Sequence, residues 1–334
     1  MLARLPARAR GLFPGVAISI VIALASLAIS DHYGGPVMLY ALLIGMAFNF
    51  TTENPRIVEG LTFTARGVLR LGVGLLGARI TLGQIVELGP VPPLLVVAAV
   101  VLTLLFGQAL GRALRLGRLH AVLSAGAVAI CGVSAALTIS SVLPKREGGE
   151  RETIFVCLAV TALSTLCMIA YPFLLRLVGF DLKTSGVFLG ATIHDVAQVV
   201  GAGLLMSPET GSIATFTKLM RVAMLVPVVL ALSLLLARRR AEGGGRVPVG
   251  LPWFLNLFVL IVAVNSLGWI PQGVVQTFDL VSRACLVAAI AAIGVRTSFR
   301  ELAVLGWQPL ALVVGNTLFI AVLALAVLSL FPVG

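Results

Sequence analysis

Residues 190–203 read GATIHDVAQVVGAG and place a histidine, an aspartate and a glutamine inside an apolar run. On a helix, His194 and Gln198 stand four apart and Asp195 and Gln198 three apart, so the three share one face. Buried polar groups left unpaired cost about 1–3 kcal/mol each, so this face needs partners. These residue types suit ligand binding and proton traffic. An unperturbed imidazole titrates near about pH 6.5, so His194 can take and release protons near neutrality. Asp195 can hold the imidazole's tautomer or carry the proton itself. The glycines at 190, 201 and 203 allow close helix approach or a break. The plainer alternative is a histidine that simply bridges two helices.

A second constellation is CGVSAALTIS, residues 131–140. Gly132 within a helical pattern, next to Ser134 and other small residues, suggests a helix that breaks within the membrane. A break frees backbone N–H groups and the positive end of a half-helix, which together seat an anion. IGVRTS, residues 293–298, stands as its counterpart around Gly294. Tight packing of small residues between helices is the alternative at both places.

Five basic residues lie within apolar segments: Arg66, Arg70, Lys218, Arg221 and Arg283. A charge near the bilayer centre costs at least ~2.5 kcal/mol, so each must pair, face protein or water, or snorkel. Arg66, Lys218 and Arg283 lie close to expected helix ends and are read as snorkelling. Arg70 and Arg221 lie deeper. They either line an anion path or pair structurally, with Asp195 or a helix C-terminus. Asp195 is the one acid clearly inside a span, so buried positive charge exceeds negative, which favours an anionic ligand.

The elements that must position these residues follow from composition. Hydrophobic residues make up 59% of the 334 and charged residues 11%, against about 25% charged in a soluble domain. The chain reads as an all-α, multi-pass membrane protein. Its +11 net charge is spread over short clusters between apolar runs, which argues for positive-inside loops and against nucleic acid. Cys131, Cys157, Cys167 and Cys285 sit in apolar segments without metal-ligand or disulfide spacing, so neither a metal site nor a cofactor is expected.

Eleven candidate spans appear: 11–30, 35–50, 60–79, 91–111, 120–143, 153–177, 184–204, 211–237, 251–270, 274–297 and 304–332. With the N-terminus in the cytoplasm, the inner segments hold Arg4, Arg8, Arg10, Arg56, Arg112, Arg115, Arg118, Arg176, Lys183, Arg238, Arg239, Arg240, Arg246, Arg296 and Arg300. The outer ones hold Arg79, Lys145, Arg146 and Arg151. That bias puts the N-terminus inside and the C-terminus outside. The run 237–246 reads as an inner loop or a hinge between halves. GVLRLGVGLLGA (67–78) echoes KLMRVAMLVPVV (218–229), and AICGVSAALT (129–138) echoes AAIGVRTSFRE (291–301). Both echoes link spans five apart, which predicts a 5+5 inverted repeat (35–177 and 184–332) after an extra N-terminal helix (11–30). Spans five and ten would be broken and would cross near Gly132 and Gly294.

The stretches LRLGVGLLGARIT, AICGVSAAL, GATIHDVAQVVGA and KLMRVAMLVP resemble those of the YeiH family, often called sulfate exporters, over roughly residues 15 to 330. The resemblance implies a bacterial inner-membrane transporter with two crossed, broken helices, distantly similar to cation-antiporter and bile-acid-symporter folds.

Together these readings give a secondary transporter of a small inorganic anion, sulfate or a related sulfur oxyanion. Cys131, Gly132, Ser134, His194, Gln198 and Gly294 form its substrate site. His194 and Asp195 couple protons, Arg70 and Arg221 supply charge along the path, and sodium stands as the alternative coupling ion. The lipid bilayer and possibly a second copy of the chain are the partners. An organic acid or cation transporter, an anion channel, and an intramembrane hydrolase using Ser134 with His194 are the alternatives; no GxSxG elbow supports the last.

Overall fold

The computed structural model describes residues 7–33, 37–144, 147–237, 253–297 and 307–333, which form helices with no strand among them. Among the described residues, six helical stretches are long and apolar enough to cross a membrane: Gly11–Tyr33, Val91–Ala113, Arg151–Val178, Pro208–Leu235, Gln272–Arg296 and Trp307–Leu330. Val37–Ala47, Val133–Val142, Val196–Met206 and Trp253–Ser266 are apolar but shorter. Several of the eleven expected spans are therefore not single long helices. The 238–246 part of the expected hinge lies outside the described residues.

The chain gathers into two compact units that interleave in sequence. Met1–Glu87, Val200–Ser212 and Pro252–Ser298 form the first; Leu88–Val199, Ile213–Leu251 and Phe299–Gly334 form the second.

The first unit holds α1 (Ala7–Tyr33), α2 (Val37–Ala47), α3 (Pro55–Phe63), α4 (Leu69–Leu76) and α5 (Leu82–Glu87). It also holds α14 (Trp253–Ser266) and α15 (Gln272–Arg296). A π-turn over Thr64–Val68 carries α3 into α4. α15 packs on α2 and α4. It runs unbroken through Gly294, so the break expected there is absent. The glycine serves close packing instead: a Cβ on Gly294 would stand 3.0 Å from the Gly45 Cα of α2. Just beyond, Asn49 Nδ2 donates to the Val295 carbonyl at 2.7 Å and caps the helix end.

The second unit holds α6 (Val91–Ala113), α7 (Arg118–Ala129), α8 (Val133–Val142), α9 (Gly149–Val178) and α10 (Leu182–Thr192). It also takes the start of α11 (Val196–Met206), the later part of α12 (Pro208–Ala223), α13 (Leu225–Ala237) and α16 (Trp307–Leu330). α6 and α16 run antiparallel, with glycines on one helix facing larger side chains on the other. A Cβ on Gly107 would meet Asn316 Oδ1 at 2.8 Å, and one on Gly111 would meet Leu312 at 3.9 Å.

Expected span five does not cross. α7 and α8 fold back on each other as a hairpin, with Ile139 filling the space beside Gly126. The base of the hairpin is tied to the start of α9 by His120 Nδ1 and Glu152 Oε2, 3.2 Å apart. The turn depends on glycine: Gly132 sits at φ +62°, ψ −122°, a conformation that side chains strongly disfavour. Its N–H reaches back to the Ala127 carbonyl at 2.8 Å.

Expected span seven is a second hairpin, entering from the other end of the unit. α9 stops at Gly179, φ +79°. Asp181 then caps α10 by accepting from the Thr184 N–H at 2.9 Å. α10 starts beside the end of α16, where the Thr184 hydroxyl donates to Val333 O at 3.2 Å. It unwinds at Ile193–Asp195. α11 then leads through Ser207 into α12, against which it packs at Gly203 and Gly211. α12 returns to the unwound stretch and continues as α13 alongside α8.

This geometry corrects the loop assignment. Because α7–α8 turns back, Arg151 lies at the same end of the unit as Arg112, Arg115 and Arg118. Arg176 and Lys183 lie at the opposite end.

Candidate functional site

Where a helix stops inside an apolar core, its last carbonyls lose their partners and must be satisfied by other groups. Two such ends meet in the second unit. A Cβ on Gly132 would stand 3.7 Å from the backbone and Cβ of His194, so the hairpin tips touch. The partner of the Gly132 break is thus the stretch at Ile193–Asp195, not Gly294, which belongs to the first unit.

Two fully buried cations of α12 bind the tips together. Lys218 Nζ donates to Ile130 O at 2.7 Å and to Ile193 O at 2.9 Å, one carbonyl from each tip. Arg221 Nε and Nη2 donate to Ala129 O at 3.0 and 2.8 Å, and Nη2 also to Val128 O at 2.7 Å. Its Nη1 donates to Gly190 O at 3.2 Å and Ile193 O at 3.1 Å. A guanidinium has five N–H groups, and five bonds are made here. Cation and helix end answer each other: the C-terminal half-dipoles favour positive charge, and the charge satisfies stranded carbonyls. Hydrogen bonds to charged groups are worth about 1.5–3 kcal/mol each, enough in this number to hold both cations out of water.

One expectation changes and one alternative is decided. Lys218 was read as snorkelling, but its chain ends inside the crossing because α12 passes there at mid-length. Of the two readings of Arg221, lining an anion path or pairing with Asp195 or a helix C-terminus, the geometry matches the second, since its donors are occupied by carbonyls at two helix ends. Its echo, Arg70, lies in the first unit with its guanidinium 5.7 Å from the Phe254 ring centre. Arg283 is half-exposed beside Asp279 at 3.2 Å, one helical turn away, in keeping with a residue at the surface.

His194 is fully buried, with Nε2 2.9 Å from the Thr317 hydroxyl of α16. Its Nδ1 makes no hydrogen bond, and the Val128 carbonyl lies within electrostatic reach of the ring. Asp195 is half-buried at the start of α11. Its N–H donates to Ser164 Oγ of α9 at 3.1 Å, and its carboxylate lies within electrostatic reach of Lys218 and Cys131. Gln198 is buried with Oε1 unpartnered. Cys131 and Gly132 are buried at the tip, whereas Ser134 in the next turn is exposed.

His194, Asp195, Gln198, Cys131 and Gly132 are thus gathered around two cations, and Gly294 and Arg70 belong to the first unit. Sequence reasoning missed Lys218, Thr317 and Ser164. The three-residue spacing in KLMR places Lys218 and Arg221 on one helical face and could have paired them. Thr317 carries no such signal in its apolar helix. Among the described residues no group of three or more His, Cys, Asp or Glu is placed to hold a metal ion. The arrangement brings two cations, an imidazole, a carboxylate and an amide together at a buried helix crossing.

Residues 11–313 match the family described as conserved hypothetical protein 698. The chain is 51% identical to UPF0324 membrane protein CT0845 of Chlorobaculum tepidum over 94% of its length and 88% of that protein's. It is also 51% identical to UPF0324 membrane protein TauZ of Paracoccus pantotrophus, over 95% of each. A UPF0324 membrane protein of Pseudomonas putida is 37% identical over 75% of this chain and 72% of its own. No solved structure matches. The chain therefore belongs to the family described as conserved hypothetical protein 698, and the relatives named here are called UPF0324 membrane proteins.

Proposed function

We propose that the chain is a secondary transporter that carries a small inorganic anion, sulfate or a related sulfur oxyanion, across the bacterial inner membrane. It works by alternating access coupled to protons. The observation that carries this reading is the crossing of two hairpin tips, entered from opposite ends of one unit and bound by two buried cations. Discontinuous helices meeting at mid-depth, with half-helix termini free for a solute, are the usual substrate seats of secondary transporters. Lys218 and Arg221 outnumber Asp195, so an anion offsets buried charge. Since the donors of Arg221 are occupied, the anion's own partners are the third N–H of Lys218, the first-turn amides of α8 and α11, and Gln198. An exposed Ser134 near a buried His194 does not form a nucleophile–base pair, which favours transport over hydrolysis. The likeness to the YeiH exporters points the same way.

Gln198 Oε1 and the Asp195 carboxylate are acceptors, and they support a second reading in which sodium is the coupling ion. Proteoliposomes loaded with labelled sulfate, sulfite, thiosulfate and small organic acids test both readings. Uptake of a sulfur oxyanion that responds to a pH gradient but not a sodium gradient supports the first. Dependence on sodium alone moves the reading to the second, and no anion uptake under either gradient sinks both.

A further inference from the structure

Two hydrogen bonds on one hydroxyl decide which nitrogen of His194 carries the proton. The Thr317 hydroxyl lies 2.8 Å from Val313 O, one turn back on its own helix, in the geometry of a donor. A hydroxyl has one hydrogen to give. With that hydrogen on Val313, the Thr317 oxygen can only accept at its 2.9 Å contact with His194 Nε2. Nε2 must then bear the hydrogen, and Nδ1 is left with its lone pair. That agrees with Nδ1 making no hydrogen bond of normal geometry in a fully buried ring.

We propose that Thr317 is a positioning residue that locks neutral His194 in its Nε2–H form, so that the coupling proton is received at Nδ1, against the tip carbonyls. The consequence for coupling rests on the transporter reading above; the tautomer itself does not. A proton added at Nδ1 puts a positive charge on a ring within electrostatic reach of Val128 O, which already accepts from Arg221 at 2.7 Å. Around the imidazole, α12 presents Lys218 and Arg221, the opposite tip presents Cys131, and Asp195 follows directly in the chain. α16 presents neutral Thr317, and α9 presents Ser164, with Tyr171 and Cys167 farther along it. A third positive charge joining Lys218 and Arg221 calls for an anion beside it. The position of Nδ1 thereby makes proton and anion arrive together.

The test is nitrogen-15 NMR of the full chain in lipid, labelled at its three histidines, with the His194 signal assigned by its loss in His194→Gln. The expected result at alkaline pH is a protonated Nε2 and a bare Nδ1. Thr317→Ser preserves that pattern, and Thr317→Val, which keeps the shape and removes the hydroxyl, abolishes it. In transport, Thr317→Val shifts the midpoint of the pH profile by about one unit, the scale of one hydrogen bond to a charged group. Thr317→Ser restores the wild-type midpoint. A wild-type His194 protonated on Nδ1 overturns the proposal, as does a Thr317→Val protein whose tautomer and pH profile are both unchanged. The wild-type spectrum decides even where a variant fails to fold, and it reads the same whether or not any substrate is moved. Failure of the transporter reading is thus seen separately.

Discussion

Gly132 and His194 lie against each other across two hairpin tips, close enough that a Cβ on the glycine would sit 3.7 Å from the histidine's Cβ. That space is ordinary van der Waals contact, so crowding alone does not exclude a methyl group. The backbone does: φ +62° with ψ −122° is a region that only glycine enters freely. Gly132→Ala is expected to lower stability by about 1–3 kcal/mol. Gly89→Ala is its control for crowding, since Gly89 has a similar φ of +68° and open space around it. Comparable losses of thermal midpoint in detergent in the two variants assign the cost to the backbone. No loss at Gly132 refutes the strain argument.

Arg221→Leu should be among the most damaging substitutions in the chain. It strands carbonyls of both tips in a dry setting, and breaking a buried charged network of this kind costs on the order of 3–5 kcal/mol. Arg283→Leu, which loses one half-exposed pair with Asp279, should cost at most about 1 kcal/mol. Arg221→Lys should recover only part of the loss, because an ammonium has three donors where five are used. Chemical or thermal unfolding of the three purified variants gives the order directly. Equal stability of Arg221→Leu and Arg283→Leu removes the clamp from consideration.

The re-entrant reading of residues 118–142 makes a topological prediction. In a cysteine-free background, Leu116→Cys and Gly148→Cys should be labelled by an impermeant maleimide from the same side of the membrane, and Gly179→Cys from the other. A simple crossing puts residues 116 and 148 on opposite sides. The labelling pattern in oriented vesicles separates the two.

On the proposed proton-coupled transport, His194→Gln is expected to flatten the pH dependence of anion uptake, while His120→Gln, at the base of the first hairpin beside Glu152, leaves that dependence in place. Uptake by proteoliposomes across pH 5–8 is the measurement. A His194→Gln protein with the wild-type profile returns His194 to a packing role.

Much of this was legible in the residues themselves. The polar cluster of HDVAQ and the glycine of CGVSA marked both tips, because three polar groups in an apolar stretch need partners, although the single helical face read for HDVAQ is interrupted at 193–195. The error at Gly294 has a physical cause: a glycine that lets two helices touch and one that breaks a helix look identical in sequence. Only the neighbour decides, and here it is Gly45, some 250 positions away. The reading of span five as a crossing failed for a related reason. A hairpin of two half-helices, 12 and 10 residues long, carries as much apolar sequence as one full span. Lys218 was misplaced because distance from a helix end was taken as the guide, when its acceptors were carbonyls freed by two remote breaks.

The order of these elements along the chain bears on how the protein is made. Both hairpin tips, near residues 130 and 193, leave the ribosome before the helix that carries Lys218 and Arg221. Neither hairpin can remain seated at mid-depth with open carbonyls, and the cationic helix cannot stay in lipid without acceptors. Insertion of this region is thus completed only when α12 arrives, and its two cations act as the keystone that converts provisional segments into a finished fold. A chain truncated before residue 208 should for this reason be cleared by membrane quality control, whereas one that includes α12 and α13 should persist.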